Sequence, residues 1–489
     1  MTLLTACAGH GASAGGPAPR DGVVEVSLLH LNDVYEMTPI EGGAAGGLAR
    51  VATVRDRLAA ADAPLLVTFG GDLLSPSAMG TARVDGARLN GTQMVAVMNA
   101  LGLDVAVLGN HEFDIGEVDF RARVSESRFQ WLATNVTDSA GRPFEGVRPW
   151  VFRTVGDSDG DTVRIAFVGA VLGSGAPAWV RVADPLPSLR DAAAIVADSA
   201  DAVVALTHLN VATDRALLEG TADVDLVLGG HEHEAMVVAV GDRLIVKADA
   251  NAVSAAHVRI PVAQGRAGVA VAEILPITDA LAEDPAVAAE VASWVERAFQ
   301  GFRADGFQPE QVIARIPSDL DGREAEVLLR PTGLTRLIAD AFAAEDADAD
   351  AVLYNAGSIR FDDVLRAGPV TEYDLIRVLP FGGVSYSVDL RGDVLERALD
   401  QGAQNRGTGG FLQTAGVEGA SGAWRVAGAP LDPGRTYRVV LPDYLLTGRE
   451  RGLGFLAADQ EGVSVQAEHP DMRLSVKAEL TRRFPPAGR

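Results

Sequence analysis

The sequence predicts an α/β protein of two domains, a layered α/β sandwich and a second α/β domain, joined by a long helix. Apolar runs typical of buried strands alternate with amphipathic helical stretches from Val23 to about Ile277, the pattern of a layered α/β domain. The stretch from Ala280 to Phe302 is alanine-rich with apolar residues at helical spacing, and a second α/β pattern begins near Gln308. The predicted segments are a tether over 1–22, a first domain over 23–278, a linker helix and hinge over 279–307, and a second domain over 308–489.

Apolar periodicity predicts individual elements within both domains. In the first domain, apolar residues recur at helical spacing over 48–58 and 94–101. In the second domain, helices are predicted over 334–342 and 394–399, with a strand over 351–354 between them. These apolar positions are expected to form core faces.

Composition and charge restrict the class of protein. The chain has 489 residues, 48% of them hydrophobic and 22% charged, which is ordinary for a globular protein with room for more than one core. No run of about 18 apolar residues occurs, so no spanning helix is predicted. The formal net charge of −24 argues against a nucleic-acid polymer as partner and requires an anionic ligand to be attracted locally. We expect a monomer, and the single cysteine excludes an internal disulfide framework.

The cysteine stands near the start of the chain. Leu4-Thr5-Ala6-Cys7 resembles the lipobox of bacterial lipoproteins, in which the cysteine carries the lipid. The six residues before Cys7 include no basic segment, so a complete signal peptide would need an upstream start. The stretch rich in Gly, Ala, Ser and Pro up to Asp21 is typical of a flexible tether. We therefore expect an extracytoplasmic protein, periplasmic or at the cell surface, that meets a membrane only through a lipid on Cys7. The alternative is a disordered terminus with a chance cysteine.

Five predicted strands end in polar residues of the same kind. The runs over 26–31, 65–69, 105–108, 202–207 and 225–228 lead into Asp33, Asp72, Asn110 with His111, His208, and His231 with His233. Open α/β folds keep their ligands at the carboxyl edge of the sheet, so these side chains are expected to lie together. The third run alone would also fit a helix N-cap, with Asn110 or Asp114 starting a helix near 118–124. Oxygen and nitrogen ligands without cysteine suit two first-row metal ions.

The order and spacing of these residues match a known family. The series Asp33-x-Tyr35, Gly71-Asp72, Gly109-Asn110-His111-Glu112, His208 and Gly230-His231-x-His233 resembles the calcineurin-like metallophosphoesterases. Asn355-Ala356-Gly357-Ser358-Ile359-Arg360 and Leu379-Pro380-Phe381-Gly382-Gly383 are similar to the C-terminal domain of the bacterial 5′-nucleotidase and UDP-sugar hydrolase family. The resemblance covers both halves in order, over nearly the whole chain.

The resemblance implies a dimetal centre and a role for each residue. Two divalent ions, of Mn, Zn, Mg, Co or Fe, would clamp a phosphoryl group and make hydroxide available at neutral pH. In the family pattern Asp72 bridges both ions, Asp33 and His233 bind one, and Asn110, His208 and His231 bind the other. His111 would stabilise the transferring phosphoryl group and assist the leaving oxygen, with Asp114 orienting its imidazole.

Tyr35 departs from the family pattern, because most relatives have histidine as a metal ligand at this position. Tyr35 could bind as a phenolate, but with a reference pKa of about 10 it would need a strongly acidic ion such as ferric iron. Alternatively, a neutral Tyr35 hydrogen-bonds near the bound water or substrate. We expect the neutral form, because Asp33, Asp72 and His233 already make a workable open site.

The second domain is implied to select the substrate. The residues implied to bind it are Arg330, Asn355, Gly357, Arg360, Phe381 and Phe455. Phe381 and Phe455 fall where the family stacks a nucleobase between two rings, an interaction worth about 1 to 3 kcal/mol per base. Plain core packing is the alternative for each ring, but the adjoining glycines favour stacking. The acidic residue that the family carries before the second aromatic ring is missing from 451–454.

These features predict a dimetal-dependent phosphohydrolase of nucleotides, of the 5′-nucleotidase type, in which metal-bound hydroxide attacks phosphorus. A phosphodiesterase or pyrophosphohydrolase acting on a cyclic nucleotide or a UDP-sugar is one alternative. The other is a catalytically weak nucleotide-binding protein, because of the substitution at Tyr35. The substrate is expected between the domains, which would move about 300–307, where Gly301 and Gly306 follow the linker helix.

Overall fold

The structure is a computed structural model that describes residues 22–61, 63–173 and 175–486. Cys7 and nearly all of the predicted tether lie outside the described residues. Within them, no helix combines the length and the apolar character needed to cross a membrane.

The first domain is built on two β-sheets. Its strands are β1 Val23–Leu31, β2 Leu65–Phe69, β3 Arg83–Val84, β4 Ala87–Arg88, β5 Val105–Val107, β6 Gln130–Leu132, β7 Val136–Asp138, β8 Val147–Arg148, β9 Trp150–Gly156, β10 Thr162–Val171, β11 Val180–Val182, β12 Ala202–His208, β13 Leu226–Gly229, β14 Met236–Val240, β15 Arg243–Lys247, β16 Ser254–Ala263, β17 Arg266–Ala267 and β18 Val271–Pro276. One sheet has the order β17-β16-β1-β2-β5-β6-β8, with β18 also paired to β16, and the other has the order β14-β15-β13-β12-β10-β9. Strands β1, β2 and β5 are parallel, as are β10, β12 and β13, so their carboxyl ends share an edge.

Helices cover the outer faces of both sheets. They are α1 Leu48–Ala59, α2 Thr92–Leu101, α3 Glu117–Glu126, α4 Pro185–Ala197, α5 Val211–Gly220 and α6 Pro285–Ala304. Helices α1, α2, α3 and α6 belong to the core of the first sheet, and α4 and α5 to that of the second. A third apolar core, which includes Leu28, Val105, Phe167 and Leu206, lies between the two sheets. The predicted layered sandwich is therefore confirmed, with the layers helix, sheet, sheet, helix.

The predicted linker helix is α6, which packs against α1 and α2 of the first domain. The Asp284 side chain accepts hydrogen bonds from the N–H groups of Ala286 and Val287, and so caps its first turn. Gly301 lies inside the helix, where a Cβ atom would collide with the backbone of Arg83. The close contact with Arg83 therefore explains why position 301 is a glycine. Gly306, just past the helix with φ +92° and open space around it, is the remaining hinge candidate.

The second domain surrounds a five-stranded sheet. Its strands are β19 Val312–Ile316, β20 Leu320–Asp321, β21 Ala351–Asn355, β22 Val364–Leu365, β23 Gly368–Thr371, β24 Val384–Arg391, β25 Leu412–Ala415, β26 Val417–Glu418, β27 Arg425–Val426, β28 Ala429–Pro430, β29 Thr436–Pro442 and β30 Val463–Asp471. Its helices are α7 Glu324–Val327, α8 Gly333–Ala343, α9 Glu372–Val378, α10 Gly392–Gln404, α11 Asp443–Leu446 and α12 Met472–Arg483. The sheet order is β25-β21-β29-β24-β30, with α8 and α12 in one apolar core and α10 in another. The predicted helices over 334–342 and 394–399 and the strand over 351–354 correspond to α8, α10 and β21.

A buried arginine joins the two domains. Arg377 of the second domain donates from Nε to Glu36 Oε1 of the first domain at 3.1 Å and from Nη2 to Asp363 Oδ2 at 3.0 Å. All three side chains are buried. At the surface nearby, Arg366 pairs with Glu41 across the same boundary. A buried ion pair that loses one partner is strongly destabilising, so this network opposes separation of the domains.

Candidate metal centre and active site

Polar side chains from five strand ends converge at the edge shared by the two sheets of the first domain. Asp33, Asp72 and His208 each offer one ligand atom, and the three atoms lie within 4.8 Å of one another. His233 joins them, with its Nε2 atom 3.4 Å from Asp33 Oδ1. The His231 backbone N–H donates to Asp33 Oδ2 at 2.8 Å, and the His231 ring centroid lies 5.4 Å from that of His208. The predicted convergence is present.

The charges within this cluster compensate one another. Asp33, Asp72 and His208 are buried, and burial by itself disfavours a charge on each. Even so, the carboxylates of Asp72 and Asp33 raise the pKa of His208 to about 9. Against the same burial, the nearby histidines lower the pKa values of both Asp72 and Asp33. The cluster therefore favours positive charge between its carboxylates, as a cation-binding site does.

The donor set fits a pair of divalent metal ions. Asn110 Oδ1 is buried without a hydrogen-bond partner, and the buried His208 Nε2 atom faces Asp72 Oδ2 at 3.2 Å. His208 Nδ1 donates to the Gly70 carbonyl at 2.8 Å, which in the neutral ring leaves Nε2 as the free ligand atom. Carboxylate oxygens, an amide oxygen and imidazole nitrogens are ligands that first-row divalent ions accept. The residues that would hold the two ions are Asp33, Asp72, Asn110, His208, His231 and His233.

The backbone around these ligands is strained. Asp33, Asp72, His231 and His233 have φ angles of 51°, 62°, 88° and 62°, in the left-handed region that side chains rarely adopt. Such conformations persist only where the surrounding structure holds them, and they cluster at functional sites. Gly109 allows the close approach, because a Cβ atom there would collide with the Asp72 carboxylate.

His111 lies beside the cluster and forms the predicted pair with Asp114. Its backbone N–H donates to Asp72 Oδ1 at 2.9 Å, and its Nδ1 atom lies 2.7 Å from Asp114 Oδ2. Although burial opposes it, the carboxylates of Asp72 and Asp114 raise the pKa of His111 above its usual value, which favours imidazolium. Neither Asn110 nor Asp114 caps a helix with its side chain, since α3 begins after Gly116. The helix-cap alternative is therefore excluded.

Tyr35 lies among the metal-ligand candidates. Its hydroxyl oxygen is 3.2 Å from Asp72 Oδ2, 3.1 Å from His233 Nε2 and 3.4 Å from Asp33 Oδ1. Burial, followed by the charges of both carboxylates, raises the pKa of Tyr35 well above its ordinary value of 10. These surroundings favour the neutral phenol as a hydrogen-bond donor within the cluster.

Glu112 has a positioning role that the sequence analysis missed. Its buried carboxylate accepts hydrogen bonds from the backbone N–H groups of Asp72, Leu73 and Gly109 at 3.1, 2.6 and 2.7 Å. It thereby connects the ends of β2 and β5. Burial and the nearby Asp72 charge raise the pKa of Glu112 to about 7. The sequence signal was its place in Gly109-Asn110-His111-Glu112, where the sequence analysis gave it no role of its own.

Lys247, at the end of β15, is a second residue with a positioning role that the sequence analysis missed. Its ammonium group is buried and lies 2.8 Å from Asp214 Oδ2 and 2.5 Å from Glu232 Oε2. It also donates to the carbonyls of Leu209, next to His208, and of Gly230, at 2.6 and 2.8 Å. Lys247 therefore anchors both segments that carry the histidine ligands. The available signal was a charged residue, one of only two lysines in the chain, closing an apolar run.

A cleft of about 570 Å³ opens at the cluster, between the two domains. Its lining includes Asp72, Asn110, His111, His231 and His233 from the first domain and Arg323, Glu324, Leu328, Asp362 and Asp363 from the second. The predicted substrate-binding residues are not part of this lining.

Arg360 is nevertheless close to the centre. Its guanidinium charge acts on both His111 and Tyr35, opposing the upward shift of each pKa. Its Nε atom is buried without a hydrogen-bond partner, and it forms no ion pair with a described carboxylate. An unpaired guanidinium beside the cluster is a site for an anionic group.

The other predicted substrate-binding residues lie in several places outside the lining of the cleft. Phe381 is 46% exposed, has its ring centroid 5.9 Å from the Arg360 guanidinium, and lines a second cavity of about 560 Å³ with Arg83, Arg88 and Arg473. Phe455 packs in the core on the α10 side, with the Arg397 guanidinium 4.1 Å from its ring centroid. Asn355 is buried and accepts from Ser358 Oγ at 2.8 Å, while Gly357 packs against the backbone of Gly409. Arg330 pairs with Glu326 at 2.6 Å at the surface.

Comparison with known protein families gives two matches in chain order. Residues 26–235 match the calcineurin-like phosphoesterases, and residues 312–458 match the 5′-nucleotidase C-terminal domain. The chain belongs to the 5′-nucleotidase family of metallophosphoesterases. The predicted family, fold class and enzyme class are confirmed, and the protein is a metal-dependent phosphoester hydrolase. The predicted cofactor, two divalent metal ions, agrees with this family and with the Asp and His cluster.

Relatives in this family are distant in sequence. The 5′-nucleotidase of Bos taurus is 24% identical over 522 residues, which cover 92% of this chain and 87% of that protein. Protein UshA of Yersinia enterocolitica is 23% identical over 504 residues, which cover 88% of this chain and 86% of that protein. The trifunctional nucleotide phosphoesterase protein YfkN of Bacillus subtilis is 27% identical over 468 residues, covering 82% of this chain but 29% of that protein. This chain thus spans less than a third of that last relative.

Solved structures share the two-domain fold. The 5′-nucleotidase precursor from Thermus thermophilus aligns with a TM-score of 0.78 at 24% identity, covering 94% of this chain and 97% of that one. The sulfate thiohydrolase SoxB from Thermus thermophilus aligns with a TM-score of 0.75 at 19% identity, and the alignment covers 96% of this chain and 95% of that one. Since these two neighbours have different names and one fold, the fold alone does not define the substrate of this 5′-nucleotidase family member.

Proposed function

We propose that the protein hydrolyses nucleoside 5′-monophosphates. The observation that carries the proposal is the juxtaposition of the metal-ligand cluster, the His111–Asp114 pair and the unpaired Arg360 from the second domain. On a chain with a net charge of −24, Arg360 is a cation without a described carboxylate partner that a bound phosphate could use near the centre. The names of the relatives, mostly 5′-nucleotidases, support a nucleotide as substrate.

The chain's own residues divide the reaction between them. Two divalent ions, when bound, would activate the attacking water and neutralise charge on the phosphoryl oxygens. Arg360 would hold a phosphoryl oxygen from the side of the second domain. Water adds to phosphorus as the bond to the nucleoside oxygen breaks, and His111 would protonate the leaving oxygen. Asp114 would hold the His111 ring through Nδ1, which leaves Nε2 for the proton transfer.

Metal removal and a substrate panel test the proposal. The purified full chain is stripped with a chelator and reloaded with Mn²⁺, Zn²⁺, Co²⁺ or Mg²⁺, and phosphate release is measured. The panel contains AMP, UMP, a 2′,3′-cyclic nucleotide, UDP-glucose and glycerol phosphate. We expect the highest kcat/KM with a nucleoside monophosphate and no turnover without metal. Full activity after exhaustive chelation would contradict the dimetal mechanism, and preference for UDP-glucose or the cyclic nucleotide would support the diesterase alternative. Nucleotide binding without turnover in any metal would support the binding-protein alternative.

We also propose that the protein acts outside the cytoplasm as a monomer, held at a membrane through a lipid on Cys7. The support is the lipobox-like Leu4-Thr5-Ala6-Cys7 and the tether composition that follows. Expression from the upstream start in a bacterial host with labelled fatty acid tests it. We expect label on the wild type but not on Cys7→Ser, and sedimentation of the Cys7→Ser chain as a single 51.0 kDa species. The boundaries at 23–278, 279–307 and 308–489 remain predictions.

A further inference from the structure

One proposed metal ligand, His233, is bound by the second domain. His233 belongs to the first domain, and its Nε2 atom faces Asp33 Oδ1 at 3.4 Å, within the metal-ligand cluster. Its other ring nitrogen, Nδ1, lies 2.8 Å from Asp362 Oδ2 and 3.2 Å from Glu324 Oε2. Both carboxylates come from the second domain, so opposite edges of this one ring contact different domains.

The second domain holds Asp362 firmly in this position. While Oδ2 faces His233, Asp362 Oδ1 accepts a hydrogen bond from the Glu324 backbone N–H at 2.8 Å. The Asp362 backbone has a φ angle of 38°, in the left-handed region that costs a side chain of order 1 to 3 kcal/mol. A strained residue with both carboxylate oxygens bound is fixed in orientation. Asp362 can therefore position the ring that it contacts.

The residue that follows Asp362 anchors the same segment to the first domain. Asp363 accepts from Arg377, which in turn donates to Glu36 of the first domain. The Glu41 backbone N–H of the first domain also lies 3.3 Å from Asp363 Oδ2. Consecutive aspartates thus make two separate contacts with the first domain, Asp363 through a buried ion pair and Asp362 through a proposed metal ligand.

We infer that Asp362 is a positioning residue for the metal centre, which the second domain supplies across the domain boundary. A hydrogen bond from His233 Nδ1–H to Asp362 fixes the tautomer whose Nε2 atom carries the free lone pair, and it makes that nitrogen a better ligand. The inference rests on the proposed role of His233 as a ligand. Its consequence is that one metal site is complete only when the domains are docked as they are here.

Metal affinity of the full chain provides the test. Asp362→Ala removes the acceptor, whereas Asp362→Asn keeps an amide oxygen in nearly the same place. Co²⁺ dissociation constants are measured by chelator competition, and the visible spectrum of the Co²⁺ protein reports the geometry of the sites. We expect Asp362→Ala to weaken one of two Co²⁺ sites by about 10- to 100-fold and to alter its spectrum, with a smaller loss for Asp362→Asn.

Two further variants separate positioning from general effects. Glu41→Gln breaks the ion pair with Arg366 across the same domain boundary without touching a metal-ligand candidate. It should leave both Co²⁺ affinities unchanged. Glu324→Gln removes the second carboxylate beside His233 Nδ1, and the double variant with Asp362→Ala should lose more affinity than either single variant. Nitrogen-15 spectra of labelled histidine should show one Nδ1–H resonance lost in Asp362→Ala.

The outcomes distinguish this inference from the proposed function. If the wild type binds no Co²⁺, the dimetal proposal itself fails. If the wild type binds two ions and folded Asp362→Ala binds them with unchanged affinity and spectrum, the positioning role is overturned. Equal loss in Glu41→Gln with the His233 Nδ1–H resonance retained would also overturn it, since affinity would then fall while the contact with Asp362 remained.

Discussion

The two walls of the active-site cleft are organised differently. On the first domain, Asp33, Asp72 and His208 are buried and brought within ligand distance of one another. On the second domain, Phe381 is 46% exposed and faces a different cavity, while Arg330 is engaged by Glu326 at the surface. The metal-binding wall is therefore held together by buried side chains that contact one another. The residues that the family implies for substrate binding are held less closely, although the Phe381 ring lies 5.9 Å from the Arg360 guanidinium.

The physical basis of this difference is the type of interaction that holds each wall. The metal-binding wall is anchored by the buried charged groups Lys247 and Glu112, each with several partners of fixed geometry. Releasing a buried charged group from its partners is costly, so these loops have one arrangement. Phe381 and Arg330 contact solvent and make few such bonds, so a substrate or a domain movement can reposition them. The comparison indicates that the metal-ligand candidates are fixed by buried contacts, whereas Phe381 and Arg330, expected to bind the substrate, are held less tightly.

The largest expected effect concerns the metal-binding wall. His111→Asn should lower kcat by about 100- to 10,000-fold with both metal ions retained, as for a positioned acid that is not a ligand. Metal content by mass spectrometry and steady-state kinetics measure this. Loss of metal along with activity would instead make His111 a ligand.

A substitution of Asp114, the partner of His111, should change the pH dependence of the reaction in a defined direction. In Asp114→Asn the carboxylate that helps raise the pKa of His111 is gone, so His111 should lose its proton at lower pH. Because an acid acts only when protonated, the alkaline limb of the rate profile should shift to lower pH. An unshifted limb would argue against His111 as the acid.

Lys247→Met should destabilise the fold by about 3 to 5 kcal/mol, because Asp214 and Glu232 would lose the cation between them. Urea unfolding of the metal-free protein measures this. Lys477→Met is the matched control, since it removes the other lysine from an ion pair with Glu372 in which the lysine is 31% exposed. The control should lose less stability. Equal losses would contradict the view that buried charge maintains the metal-binding wall.

Phe381→Ala tests whether Phe381 contacts the base of a bound nucleotide. If Phe381 stacks on the base, kcat/KM for AMP should fall by about 5- to 150-fold, and that for glycerol phosphate should not change. Phe455 packs against the α10 core, so Phe455→Ala should also lower stability, and its kcat/KM values for the two substrates are compared in the same way. Scattering of the wild type with and without a nucleotide analogue should differ, with Gly306 as the hinge. Identical profiles together with unchanged kinetics would place the base elsewhere.

Tyr35→Phe should have the smallest effect. Loss of one neutral hydrogen bond is worth about 0.5 to 1.5 kcal/mol, so kcat should fall by no more than about tenfold, with two metal ions retained. The iron-loaded wild type should lack a tyrosinate charge-transfer band. A band that disappears in Tyr35→Phe, together with the loss of one ion per chain, would establish the phenolate alternative.

Local sequence patterns were enough to group the Asp and His residues that the structure brings together. Each apolar run closes on a glycine or directly on a polar residue, and parallel strands bring their carboxyl ends to one edge whatever their exact order. Asp33, Asp72 and His208 could therefore be grouped before the sheets were known. The His111–Asp114 pair was predictable for a similar reason, because its members are three residues apart in one short turn.

The sequence by itself thus determined the layered α/β class, the polar residues that close the strand ends, and the family. Only the tertiary structure decided what surrounds that set. Lys247 meets Asp214 through the order of strands in the second sheet, and Asp362 meets His233 over a separation of 129 residues through domain docking. The placement of Phe381 outside the cleft likewise depends on how the domains meet. A local pattern shows which groups a strand end presents, but the partner of a charged side chain is selected by the packing of distant elements, which no local pattern encodes.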